Sequence, residues 1–149
     1  MAINTVHKSV LIWYSPQEMF LLVTQVDQYP KFLPGCDRAR VVSSDGPIDV
    51  VEIGISFSGI RLRFVTRNLH VPDRKVSIAL MNGPFSGLDG EWNFTPLGDP
   101  AQRACKVDLL LNYSFDSAIF DTLVAPVFDK LASAMVDAFV KRADAVYGD

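Results

Sequence analysis

From Cys36 to Phe115 the chain alternates apolar and polar residues through six short runs separated by turn signals, and only one face of these runs is apolar. The breaks fall at Asp45-Gly46-Pro47, Ser58-Gly59, Pro72-Asp73, Asn82-Gly83-Pro84 and Pro96–Pro100. A two-residue turn at Ser58-Gly59 pairs Phe57 with Ile60 and sets the register of the whole hairpin. One face then carries Val51, Ile53, Ile55, Phe57, Ile60, Leu62, Phe64 and Thr66, and the other Glu52, Gly54, Ser56, Arg61, Arg63, Val65 and Arg67. Leu88, Trp92 and Phe94, and then the run Cys105, Val107, Leu109, Leu111, Tyr113 and Phe115, repeat the pattern. A sheet that is apolar on one face must be covered. The segment Asp116–Tyr147 is the only stretch large enough to cover it. Its expected apolar stripe is Phe120, Val124, Val127, Leu131, Met135 and Ala138, with Asp116 as cap and Pro126 as a kink or joint near the start.

Before the sheet, Val6–Ile12 has the composition of a first strand. Ser15-Pro16-Gln17-Glu18 then supplies a helix cap, a proline at the first helical position and a capping box, with Tyr14 and Met19 placed as a hydrophobic staple. That helix is expected to run to about Gln25. A second short helix should extend from Asp27 to Pro34-Gly35. The fold class is therefore α+β: a curved seven-stranded antiparallel sheet around a long C-terminal helix, with two short helices after strand one, in a single domain over residues 1–149. Such a sheet gripping a helix leaves space between them, and Gly54, Gly59 and Gly90 allow bends or close approaches within it.

Composition narrows the function. Hydrophobic residues make up 49% and charged residues 21% of 149, which fits an ordered domain with either a large core or a lined pocket. The net charge of -3 gives no support to DNA binding by the chain as a whole. Cys36 and Cys105 stand far apart and form no metal-ligand cluster, so no metal site is expected. With no signal peptide at the start and no membrane-length apolar run, the expectation is a cytoplasmic protein with reduced thiols. His7 and His70 have no nucleophile motif beside them, and neither GxSxG, HExxH nor a phosphate-binding glycine loop occurs. No catalytic residue and no cofactor are assigned.

Several segments resemble a known family. Tyr29-Pro30-Lys31-Phe32-Leu33-Pro34-Gly35-Cys36 is similar to its YPxFLPWC segment, and Gly83-Pro84-Phe85 followed by Leu88-Asp89-Gly90-Glu91-Trp92-Asn93-Phe94 is similar to its GPFxxLxGxWxF segment. Pro126-Val127-Phe128 and Met135-Val136-Asp137-Ala138-Phe139 resemble its final helix. This is the START-like family of coenzyme Q-binding proteins and bacterial RatA-type proteins, also labelled oligoketide cyclase or lipid transport. One departure is Gly35, where the family usually carries Trp. The resemblance implies a helix-grip fold and a bound ubiquinone or other prenyl lipid in support of respiration. It also implies an alternative, since RatA-type members are described as toxins that bind the ribosome and block subunit association. The cyclase label would require a buried acid or base, such as Tyr113, Asn68 or His70, inside the pocket.

An isoprenoid site needs a concave apolar wall and a few polar groups at one end. Candidate wall residues are Leu62, Phe64, Trp92, Phe94, Leu109, Leu111, Val127, Leu131 and Met135, and Phe32, Leu33, Met81 and Phe85 are expected, with Tyr29, near the mouth. Arg38, Arg40, Arg61, Arg63 and Arg67 form a candidate basic surface for the ribosome or for peripheral contact with the inner membrane, with Glu52 diagonal to Arg63 and Arg67 as its expected partial neutraliser.

Overall fold

The computed structural model describes residues 3–99 and 101–148. The strands are β1 (Asn4–Ile12), β2 (Cys36–Asp45), β3 (Ile48–Phe57), β4 (Ile60–Val71), β5 (Lys75–Asn82), β6 (Phe85–Pro96) and β7 (Cys105–Phe115). They form one antiparallel sheet in the order β1-β7-β6-β5-β4-β3-β2. Ser58 and Gly59 both have positive φ, as a two-residue hairpin turn requires, and Phe57 pairs with Ile60 and Val51 with Thr66 as the sequence dictates. Gly90 on β6 allows a close approach to β7: a Cβ there would sit 2.6 Å from the Leu110 carbonyl oxygen. Every inward residue of β7 from Cys105 to Phe115 is buried.

Helix α1 (Pro16–Thr24) starts as its sequence predicts. The Ser15 hydroxyl accepts from the Glu18 N–H, and the Glu18 carboxylate accepts from the Ser15 N–H. The second short helix is a 3₁₀ turn over Val26–Lys31 and ends earlier than expected. Pro30 within it has no N–H with which to continue an α-helical ladder. The C-terminal segment is two helices, α2 (Ala118–Leu123) and α3 (Ala125–Tyr147), joined at Val124. Pro126 falls in the first turn of α3, where its missing N–H removes no internal bond. The cap of α2 is Ser117, whose hydroxyl accepts from the Phe120 N–H. Asp116, the expected cap, instead donates its own N–H to the Pro84 carbonyl and ties α2 to the β5–β6 turn.

The buried face of α3 is Ala125, Phe128, Leu131, Ala132, Val136, Phe139 and Ala143. The expected stripe is thus displaced by one residue over much of its length: Phe128 takes the inward place given to Val127, and Ala138 falls off the face. Val127 and Phe128 lie three and four residues after Val124, both spacings that continue a helical stripe, and the fold buries Phe128.

A polar latch holds α1 to the end of α3. Arg103 donates to both Glu18 carboxylate oxygens at 2.7 and 2.5 Å, Tyr147 Oη donates to the Glu18 carbonyl at 3.0 Å, and Tyr14 Oη donates to Asp144 at 2.6 Å. The Arg103 guanidinium holds the Glu18 carboxyl down at about 2, against the opposing effect of partial burial and with help from the Ser15 N–H. Because the folded value lies below the ordinary 4.5, this stability is present above pH 4.5 and is lost as pH falls through 2. Glu18→Gln should therefore destabilise the fold by about 1 kcal/mol at pH 7. Urea unfolding of the two proteins should converge as the pH approaches 2; a gap that persists there would contradict the charge-based account.

Candidate functional site

Two aromatic clusters fill the ends of the space between sheet and helix. At the α2 end, Phe85 stacks on Phe115 at 4.7 Å and meets Phe128 edge-on at 5.4 Å, with Tyr113 4.6 Å from Phe128. At the α1 end, Phe139 meets Trp92 at 5.2 Å, Phe32 at 5.1 Å and Tyr29 at 5.5 Å. Between them α3 lines the space with Phe128, Leu131, Ala132 and Met135. The result is a partly open cavity with a mainly apolar lining.

Seven of the fourteen residues expected at the wall or mouth line this cavity: Tyr29, Leu33, Phe64, Trp92, Leu111, Leu131 and Met135. The other seven lie elsewhere. Phe32 turns away to Phe139, and the Arg142 guanidinium sits over its outer face at 5.2 Å. Leu62 and Phe85 are closed into the α2-end cluster, and Leu109, like Phe94, is 1% exposed in the core at the α1 end. Met81 is exposed because β5 alternates: Ile78 and Leu80 point inward, so Met81 points out. Val127 sits beside the buried face of α3, for the reason given above.

Gly35, the position that departs from the family pattern, has φ of +74°. A Cβ there would lie 2.9 Å from Leu131 Cδ1. The left-handed backbone and the missing side chain let the loop close on Leu131 at the cavity wall. Pro34 is the exposed member of the lining beside it.

One end of the cavity is polar. Thr66, Asn68 and His70 follow Phe64 on the concave face of β4 and line it, with Thr24 and Tyr29 opposite. Thr66 Oγ1 donates to Asn68 Oδ1 at 2.8 Å. His70 Nε2 lies 3.7 Å from Asp49 Oδ2, and Asp49 accepts in turn from the Ser44 hydroxyl at 2.5 Å. The Thr24 hydroxyl donates to the Phe20 carbonyl at 2.9 Å, and the Tyr29 hydroxyl donates to the Val23 carbonyl. Of the three candidates for a cyclase's acid or base, Asn68 and His70 line the cavity. Tyr113 does not: its hydroxyl serves the Ala125 carbonyl and Asp129 at the α2–α3 joint, both at 3.3 Å. Cys36 is a lining thiol that burial pushes up to about 11, so it stays protonated at neutral pH and acts as an apolar wall rather than a nucleophile. Among the described residues no group of three His, Cys, Asp or Glu side chains is placed to hold a metal ion.

On the convex face, Arg38 and Arg40 both reach Glu52, at 2.8 and 3.0 Å. This corrects the expected pairing, because β2 lies nearer to Glu52 than the diagonal positions of β4. Arg63 adds only a longer-range attraction to Glu52, and Arg67 makes no ion pair with a described carboxylate. Arg61, Arg63 and Arg67 therefore stand exposed on one strand, free of such pairs. No helix among the described residues is long and apolar enough to cross a membrane.

A curved antiparallel sheet closed on a C-terminal helix, with a cavity between, defines a START-like helix-grip domain. A START superfamily protein from Mycobacterium smegmatis shares this fold, with a TM-score of 0.72 at 16% identity, over 95% of this chain and 94% of that one. The family model described as polyketide cyclase/dehydrase and lipid transport matches residues 12–140, and the chain belongs to that family, with proteins named RatA among its relatives. The ribosome association toxin RatA of Vibrio cholerae is 39% identical over 97% of this chain and 98% of its own length. The mitochondrial coenzyme Q-binding protein COQ10 homolog B of Xenopus laevis is 28% identical over 95% of this chain and 58% of its own length. Neither name describes an enzyme.

Proposed function

We propose that this domain is a non-enzymatic carrier or chaperone for ubiquinone or a related prenyl lipid, loading at a membrane surface from the cytoplasm and supporting respiration. The observation that carries this reading is the unfilled centre of an otherwise tightly packed molecule: both ends are closed by aromatic clusters, while the middle stays open and apolar with polar groups at one end. Burial contributes about 25 cal/mol per Å² of apolar surface, so a prenyl chain gains affinity there without any ion pair. Trp92 in the wall gives a direct readout. With the 80% exposed Trp13 replaced by Phe, decylubiquinone should quench Trp92 fluorescence saturably. A linear, non-saturating response would sink the proposal.

A second reading is association with the ribosome. It is supported by the near full-length similarity to a protein named as a ribosome association toxin, and by the exposed arginines of β4. Phosphate contacts dominate binding to RNA and weaken with salt. Arg61→Glu with Arg63→Glu should abolish co-sedimentation with ribosomal subunits at low salt and leave quinone quenching intact. Unchanged sedimentation would remove the convex face from this reading.

A further inference from the structure

The polar end of the cavity has a definite hydrogen-bonding sense. Three hydroxyls border the cavity, and each donates its proton to the protein: Thr66 to Asn68, Thr24 to the Phe20 carbonyl and Tyr29 to the Val23 carbonyl. The bond from Thr66 occupies Asn68 Oδ1, which fixes the amide, while Nδ2 makes no hydrogen bond to any described residue. Asn68 thus leaves two N–H donors for whatever fills the cavity. No Lys or Arg lines it, and the one imidazole at this end, His70, already has the Asp49 carboxylate 3.7 Å from its Nε2. A carboxylate or phosphate head would enter with no free cation to meet it and with Asp49 behind His70. An unpaired buried anion is strongly disfavoured, whereas a carbonyl or ether oxygen needs only a donor.

We infer that Asn68 is the headgroup-reading residue of the cavity, and that the ligand carries a neutral head with an acceptor oxygen, so that quinones are accepted and fatty acids and phospholipid headgroups rejected. This rests on the cavity being the binding site proposed above. Thr66 is the positioning residue, since it holds the amide in the donating orientation.

Titration calorimetry at pH 8 with three ten-carbon probes tests this: decylubiquinone, decanoate, and decylbenzene delivered from cyclodextrin. The wild-type protein should bind decylubiquinone at least about tenfold more tightly than decanoate. Asn68→Leu, and the near-isosteric Asn68→Asp should the first fail to fold, should each weaken decylubiquinone about tenfold, as expected for loss of a buried hydrogen bond. Asn68→Leu should leave decylbenzene unchanged. Thr66→Val should weaken the quinone by a smaller factor. Equal affinity for decanoate and quinone in the wild type, or unaltered quinone affinity in a folded Asn68 variant, overturns the inference while decylbenzene binding keeps the cavity reading alive. If folded wild-type protein binds none of the three, the cavity reading falls and takes this inference with it.

Discussion

Met135→Trp should abolish quinone binding while leaving the melting temperature of the unliganded protein almost unchanged. Met135 lies on α3 at the edge of the empty centre and is packed against the core on one side only. In a filled core the larger ring would cost about 1–3 kcal/mol of overpacking. Here it enters unoccupied space and keeps the surface apolar. In the wild type, quinone at ~100 times its dissociation constant stabilises by about 2.7 kcal/mol. For a domain of this size that raises the melting temperature by about 5–10 °C. The occluded variant should show no such rise. Paired melting curves of both proteins, with and without decylubiquinone, check this; a badly destabilised variant together with an unmoved wild type would make Met135 ordinary core.

The opposite substitution one turn further along α3 should have the opposite consequence. Phe139 is 1% exposed and touches Tyr29, Phe32 and Trp92 together, so it joins α3 to both the 3₁₀ turn and the sheet. Phe139→Ala should cost about 3–5 kcal/mol, much of the total for a domain whose stability is of order 5–15 kcal/mol. The urea midpoint should fall steeply. A loss below about 1 kcal/mol would mean that the α1-end cluster does not close the cavity as described.

The contrast between these positions also shows what a sequence can and cannot convey. The β3–β4 register follows from a two-residue turn and period-two alternation, both local, so it was legible residue by residue. The capping box at Ser15 and Glu18 was legible for the same reason. The phase of α3 was not, because i+3 and i+4 spacings both continue an apolar stripe and only packing against the sheet selects Phe128 over Val127. Nor was the division of apolar residues between wall and core. Trp92 and Leu109 pair across β6 and β7 with the same pattern and similar burial, yet only Trp92 reaches the cavity, because that depends on what α3 places opposite. The polar end was the recoverable part. Continuing the face Ile60, Leu62, Phe64, Thr66 by two more alternate positions gives Asn68 and His70, and polar residues that extend an apolar face are the mark of a lined pocket rather than a filled one. On the convex face, Glu52 is expected to offset Arg63 and Arg67 on β4, but β2 also borders it and Arg38 and Arg40 take its ion pairs.

The central claim is that the middle of this fold is a binding site for a neutral prenylated lipid. Organic extraction of the purified protein, followed by mass spectrometry of the extract, tests it most directly. The account predicts a quinone or related prenyl lipid, recovered at a substantial fraction of one molecule per chain from the wild type and missing from Met135→Trp. An extract holding only bulk membrane lipid, in equal amount from both proteins, would contradict it.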